Sequence, residues 1–303
     1  MKNASFPDAT EAHRQQRAGL IAGLGAYALW GLLPIYFKLL HAVPPVEMVA
    51  HRIVWSVAFL AIVLAAYRLF PAFFAALRQP RILLALAISA LLIAGNWLIY
   101  VWAVNTAHVV AASLGYFLNP LVNVLLGTLV LKERLGRGQA LAVGIAGVAV
   151  AILAIGEIQT LWISLSLAFS FAFYGLVRKL TPVAPAVGLA IETMLLAPPA
   201  LSVLAWYQAQ GTLMFGHTPM LTIALIGAGA ITSIPLLLFA SAARHLTLVT
   251  LGLMQYVAPS LQFLTGVLLF GEHLSPGRWA SFLLIWAALA LFVWDSLRLA
   301  RRR

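Results

Sequence analysis

The sequence predicts an all-α membrane protein of ten transmembrane helices, arranged as two inverted five-helix repeats. Three observations carry the prediction: a composition that only lipid accommodates, ten apolar stretches of spanning length, and an internal repeat with an odd number of crossings in each copy.

Hydrophobic residues make up 63% of the chain and charged residues 9%, with a mean hydropathy of +0.99, against about 45–50% and about 25% in soluble domains. Eight acids and nineteen Lys and Arg cannot dress the surface of a soluble 303-residue fold. The net charge of +11 does not point to nucleic acid, because the basic residues are dispersed between apolar runs rather than gathered on one face. With no cysteine, disulfides, thiol nucleophiles and Cys-type metal sites are all excluded.

In chain order, the first five spans cover about 18–39, 46–68, 82–104, 108–131 and 139–156, and the second five about 160–178, 185–207, 219–241, 246–270 and 277–297. The first apolar run follows Lys2, Arg14 and Arg17 and is too long for the core of a cleavable signal, so it reads as an uncleaved span. Orientation follows from charge. Lys2, Arg14, Arg17, Arg68, Arg78, Arg81, Lys132, Arg134, Arg137, Arg178, Lys179, Arg244, Arg298 and Arg301 to Arg303 fall on one side. Lys38, Arg52 and Arg278 fall on or near the other, which places both termini in the cytoplasm of a multi-pass protein of the bacterial cell inner membrane.

NPLVNVLLGTLVLKERLGRG from Asn119 matches APSLQFLTGVLLFGEHLSPG from Ala258. At a constant offset of 139 it pairs Pro120 with Pro259, Gly127 with Gly266, Glu133 with Glu272, Leu135 with Leu274 and Gly138 with Gly277. AYALWGL near Tyr27 likewise resembles SFAFYGL near Phe171, pairing Trp30-Gly31 with Tyr174-Gly175. The repeats are 18–156 and 160–298. Five crossings per copy invert the second against the first, an architecture suited to alternating access.

Ionisable groups inside spans cost at least ~2.5 kcal/mol each at the bilayer centre, so they are read first for function. Glu192, in the seventh span, suits cation binding or proton exchange, with a structural pairing to Arg178 as the alternative. Glu47, His51 and Arg52 open the second span on one broad helical face. Arg52 is the candidate for a substrate carboxylate or phosphate, His51 joins it as a binding residue, and Glu47 joins Glu192 as a candidate for ion or proton coupling. The alternative is an interface cluster in which Glu47 and Arg52 satisfy each other.

Asn119 and Asn123 flank Pro120, and Gln255 and Tyr256 precede Pro259, so two midplane helix breaks lined by amides are expected around a central site. Simple ties between helices are the alternative for the asparagines. Asn96, Trp97 and Tyr100 lie well inside the third span and suit a cavity for aromatic or amphipathic solutes, or plain packing. Tyr174, the repeat partner of Trp30, completes the binding set. Trp162, Trp206, Trp279 and Trp294 lie near span ends, where interfacial belts are expected.

No HExxH, GxSxG or Walker motif occurs, and His217, His245 and His273 share no ligand spacing. No enzyme activity, metal or cofactor is expected.

AYALWGLLPIYFKLL, EMVAHRIVWS, GNWLIYVWAVN, SLGYFLNPLVNVLLG, LAFSFAFYGLVRK, IETM and LMQYVAPSLQFL occur in that order over nearly the whole chain. In these segments the sequence resembles the RarD family of EamA transporters in the drug/metabolite transporter (DMT) superfamily. The resemblance implies an EamA domain in each half, a cavity between the repeats, and export of small metabolites or drugs, amino-acid-like or amphipathic solutes such as chloramphenicol; no catalytic residues transfer. The expected partners are a small-molecule solute and the lipid bilayer, and a homodimer is compatible with the sequence. The competing reading is a membrane-embedded enzyme or lipid-handling protein that uses the Glu47, His51 and Arg52 face.

Overall fold

The computed structural model describes residues 9–106, 108–155, 158–270 and 276–300. Lys2, Glu272, His273, Leu274 and Arg301 to Arg303 lie outside the described residues. The described chain is helical, in the order α1 (Ala9–Leu39), α2 (Pro45–Ala66), α3 (Phe70–Leu77), α4 (Pro80–Asn105), α5 (Val109–Leu129) and α6 (Arg137–Ala154). A 3-10 turn (Ile158–Thr160) leads into α7 (Leu161–Leu180), α8 (Pro185–Ala209), α9 (Pro219–His245), α10 (Leu248–Gln255), α11 (Val257–Phe270) and α12 (Pro276–Ala300).

Nine stretches among the described residues are long and apolar enough to cross a membrane, the ninth running through α10 and α11 as Leu248–Leu269. A tenth apolar stretch, Trp279–Asp295, lies within α12, whose 25 residues extend about 37 Å. The chain is thus a multi-pass membrane protein, and its spans match the expected ten. Proline opens many of them, at Pro45, Pro80, Pro185, Pro219 and Pro276, where its missing N–H falls among groups that lack a helical partner anyway. Threonine caps two helices, Thr218 accepting from Leu221 N and Thr247 from Thr250 N.

Two local features differ from expectation. The Arg-rich link between the second and third spans contains α3, whose eight residues rise about 12 Å and cannot cross the bilayer. Its Phe73 and Ala76 are buried while Phe70 and Phe74 face outward, the pattern of a short interfacial helix. The two prolines of the repeat also behave differently. α5 continues through Pro120, whereas the second copy breaks at Tyr256, between α10 and α11. Pro259 cannot return a hydrogen bond to the Gln255 carbonyl and its ring crowds that group, so the chain turns there. The same defect at Pro120 is held in line because α5 is clasped by α7 on one side and α10 on the other.

Helix neighbours come in exchange pairs when each helix is replaced by its counterpart in the other half. α1 packs on α9 as α7 packs on α4, α2 on α9 as α8 on α4, and α5 on α7 as α11 on α1. The pairs α2 with α8, α6 with α12 and α5 with α10 each join counterparts. A pseudo-twofold relation accounts for all of these contacts, and most of the packing runs between halves rather than within them. Lipid offers no hydrophobic drive for helix association, so close approach at small residues and buried hydrogen bonds hold the bundle together. At Gly229 an added Cβ would run into the Trp55 backbone, and Ser56 Oγ donates to the Gly229 carbonyl at 3.2 Å.

Candidate functional site

Arg52 stands seven residues after Pro45, the proline that opens α2, and so about 10 Å along the helix. Its Nε donates to Thr232 Oγ1 of α9 at 2.9 Å. Its guanidinium carbon lies 4.7 Å from the ring centre of Trp97 on α4 and 5.8 Å from that of Phe37 on α1, both within cation–π range. The phenols of Tyr36, Tyr100 and Tyr116 lie within electrostatic reach. Tyr36 donates its hydroxyl proton to Ala224 O at 2.6 Å, and the Tyr100 and Tyr116 rings meet at 5.9 Å. Arg52, Trp97, Tyr100 and Tyr116 are all partly exposed. Together they form a partly exposed cluster, termed here the Arg52 chamber, toward the end of the bundle that carries the α1–α2 turn.

At mid-depth an aromatic floor lies beneath them. Trp30, Phe171 and Phe239 form a triangle with centroid distances of 5.6, 5.6 and 5.3 Å; Tyr27 packs against Trp30 and Phe239, and Tyr174 against Phe171 and Phe239. Tyr27, Tyr174 and Phe239 are fully buried.

The opposite end is closed. Arg178 Nη1 lies 3.3 Å from Glu192 Oε1, with the two residues 3% and 1% exposed. Arg178 Nη2 also donates to Pro185 O at 3.1 Å, and Ser89 of α4 stands beside the carboxylate. Gly188 makes this pair fit, since a Cβ there would run into the guanidinium. Lys179 Nζ donates to the carbonyls of Ala243 and Leu246, at the end of α9. Glu133 answers on the next helix, accepting from Leu248 N and Val249 N at 2.9 and 3.0 Å. A carboxylate at a helix N-terminus and an ammonium at a C-terminus both follow the helix dipole, so the α9–α10 joint is pinned from two sides.

The structure thus sorts the sequence-derived candidates into groups. Arg52, Trp97 and Tyr100 come together in the chamber. The supposed wall of Glu47, His51 and Arg52 is split, because Glu47 and His51 turn away from the chamber toward the α8–α9 connection. Glu47 Oε1 accepts from Met214 N at 2.8 Å and sits 3.6 Å from His51 Nε2, and the His51 ring stacks on Phe215 at 5.2 Å. Arg52 therefore does not satisfy Glu47. Glu192 meets Arg178, the pairing set out above as its structural alternative.

Asn119, Asn123 and Gln255 form one buried amide chain. Asn123 Nδ2 donates to Asn119 Oδ1 at 2.9 Å and to Gln255 Oε1 at 3.0 Å, while Asn119 Nδ2 donates to Ala168 O at 3.3 Å. Tyr256 donates to Phe117 O at 3.3 Å. Asn96 ties α4 to α7 through Leu167 O and Ser170 Oγ, both at 2.9 Å. Tyr174 keeps a buried hydroxyl near the Arg178 and Glu192 pair, without a hydrogen-bond partner among the described residues.

Tyr36, Phe37, Tyr116 and Thr232 belong to the chamber and were not reached from sequence, since each is an ordinary residue of an apolar span until the fold places it beside Arg52. One signal was present. Glu192 stands seven residues after Pro185 just as Arg52 does after Pro45, so the two occupy equivalent positions in the two halves.

Residues 17–155 match the EamA-like transporter family. The chain is 49% identical to the protein RarD of Streptomyces exfoliatus, over 96% of this chain and 93% of that one. It is 48% identical to an uncharacterised transporter of Pseudomonas aeruginosa, over 94% and 96% of the two chains. A protein of known crystal structure, 21% identical, superposes with a TM-score of 0.68 over 90% of this chain and 96% of that one, a likeness of fold alone. On this sequence kinship, the chain belongs to the RarD family of EamA transporters, in the drug/metabolite transporter superfamily.

Proposed function

We propose that the protein is a secondary carrier that exports small metabolites or drugs, amino-acid-like or amphipathic solutes, across the bacterial inner membrane by alternating access between the repeats 18–156 and 160–298. One observation carries the reading. Two opposite charges hold equivalent positions in the two halves, yet Arg52 faces a partly open chamber while Glu192 is sealed in an ion pair at the other end. A pseudo-symmetric bundle with one end open and one closed has a second arrangement of similar energy, reached by exchanging the roles of the halves.

The distribution of Lys and Arg supports cytoplasmic termini, which makes the closed end cytoplasmic and the Arg52 chamber the outward-facing site. Arg52, Trp97 and Tyr100 then bind the solute in this state. Asn96, Asn119, Asn123, Gln255 and Tyr256 serve as the ties between helices across which the two states exchange, and Tyr174 stands between floor and closed end. Glu192 is the group through which a proton gradient acts, with Glu47 holding the α8–α9 connection against α2.

Proteoliposome flux of labelled amino acids and chloramphenicol, with and without a proton gradient, tests the reading. The natural chain has no cysteine, so single cysteines placed beside Arg52 and beside Glu192 report access without background. Alternation predicts that conditions which protect one expose the other. Absence of flux, with accessibility that never alternates, would rule the carrier out.

A further inference from the structure

The charge of the cargo can be argued from what surrounds Arg52. Its Nε is engaged by Thr232. Among the described residues its two terminal nitrogens have no hydrogen-bond partner, on a side chain that is partly exposed. The hydroxyls of Tyr100 and Tyr116 are in the same condition. A guanidinium edge presents parallel N–H groups in the geometry a carboxylate accepts, and two phenols beside it add neutral O–H donors.

Among the described residues an ammonium group finds no carboxylate there. Glu47 is held by Met214 N beside His51, and Glu192 is clasped by Arg178 at the opposite end. Glu133 caps α10, and Asp295 lies against Gly136 and Gly138. None of these acids faces Arg52. The guanidinium already lies over the Trp97 and Phe37 rings, and a second cation brought to the rings that remain would be repelled by its charge. A phosphate monoester brings nearly two negative charges to a single cation. Trp30 and Phe171, partly exposed at mid-depth, supply aromatic surface for an apolar body.

We propose that the Arg52 chamber selects monoanionic, carboxylate-bearing aromatic solutes over zwitterions and cations of the same shape. The assignment rests on the carrier reading for its physiological meaning, but its chemistry is tested by binding alone.

The full-length protein in lipid nanodiscs is titrated with four phenyl compounds of nearly equal size: 3-phenylpropionate, phenylalanine, phenethylamine and 3-phenylpropanamide. The anion is expected to bind at least about tenfold tighter than phenylalanine, whose carboxylate is the same but whose ammonium is brought, unpaired, beside the guanidinium, with phenethylamine weakest. Arg52→Gln should erase the advantage of the anion over the neutral amide, and Arg52→Lys should keep part of it. Phenylalanine or phenethylamine binding as tightly as 3-phenylpropionate overturns the proposal, as does the binding of none of the four at millimolar concentration. An anion preference that survives Arg52→Gln overturns it equally. Retained binding of the neutral 3-phenylpropanamide shows that Arg52→Gln is folded, so its loss of anion preference is read against that binding. Counterflow in proteoliposomes separates the two readings: phenylalanine exchange without anion preference sinks the charge selection and spares the carrier, whereas anion binding without exchange does the reverse.

Discussion

Arg52 and Glu192 hold equivalent places in the two halves and have opposite surroundings. Arg52 sits among rings and hydroxyls, with one hydrogen bond to Thr232 and two nitrogens without a hydrogen-bond partner among the described residues. Glu192 is fully enclosed, with Arg178 reaching it across the α7–α8 turn and Ser89 beside it. Even the supporting contacts correspond, since Thr232 belongs to α9 packed on α2, and Ser89 to α4 packed on α8. One scaffold therefore builds a partly exposed cationic cluster at one end and a buried, charge-compensated pair at the other. The side chains on the equivalent helices decide which is which, and the folding scheme does not.

The largest effect is expected from breaking the closed end. Arg178→Ala strands a carboxylate in an enclosed site, and removal of one partner of a buried ion pair costs about 3–5 kcal/mol. Thermal unfolding in detergent should fall sharply, and the double variant Arg178→Met with Glu192→Leu should recover most of the loss. If the single variant unfolds like the parent, the closed end is not held by this pair.

Emptying the open end should do the opposite. Arg52→Ala is expected to leave thermal stability nearly unchanged and to weaken solute binding by about 1.5–3 kcal/mol, the worth of hydrogen bonds to a charged group. A large loss of stability with unaltered affinity would recast Arg52 as a structural residue. Gly188→Ala sharpens the comparison from the closed side. The new methyl displaces the guanidinium and should cost about 1–3 kcal/mol, the usual scale of overpacking, with a single cysteine near Glu192 becoming more reactive to thiol reagents.

The smallest effect belongs to the region between the two ends. Asn123→Ala removes two hydrogen bonds of the amide chain that joins α5 to α10. Polar ties of this kind are worth about 0.6–1.7 kcal/mol in membrane proteins. A measurable drop in thermal stability with solute affinity preserved fits a tie between helices. A larger loss of affinity than of stability would instead return Asn123 to the binding site.

Much of this architecture was legible in the amino-acid order. Spans are dictated by the need to satisfy every backbone group inside lipid, so apolar length alone locates them. α3 escaped because eight residues carry too little periodicity to stand out in a link rich in arginine. Pro120 and Pro259 were legible as helix defects but not in their consequence, since neighbours decide whether a helix bends through a proline or breaks at it. The site was half visible. Charges and amides inside spans are rare enough to notice, which flagged Arg52, Glu192 and Asn123. Whether such a residue faces a chamber, a partner or a loop depends on rotation about the helix axis, and a helix apolar on every side fixes no rotation.

By itself, the sequence determined ten crossings, their repeat, the inversion that follows from five crossings per copy, and the membrane as solvent, because each depends only on apolar length, spacing and parity. The tertiary structure decided that Glu47 and His51 lean on the α8–α9 connection while their neighbour Arg52 meets Trp97 and Thr232. It also decided that Arg178 closes over Glu192. These are contacts between helices far apart in the chain, set by small-residue packing and buried hydrogen bonds that lipid leaves to the neighbours to specify.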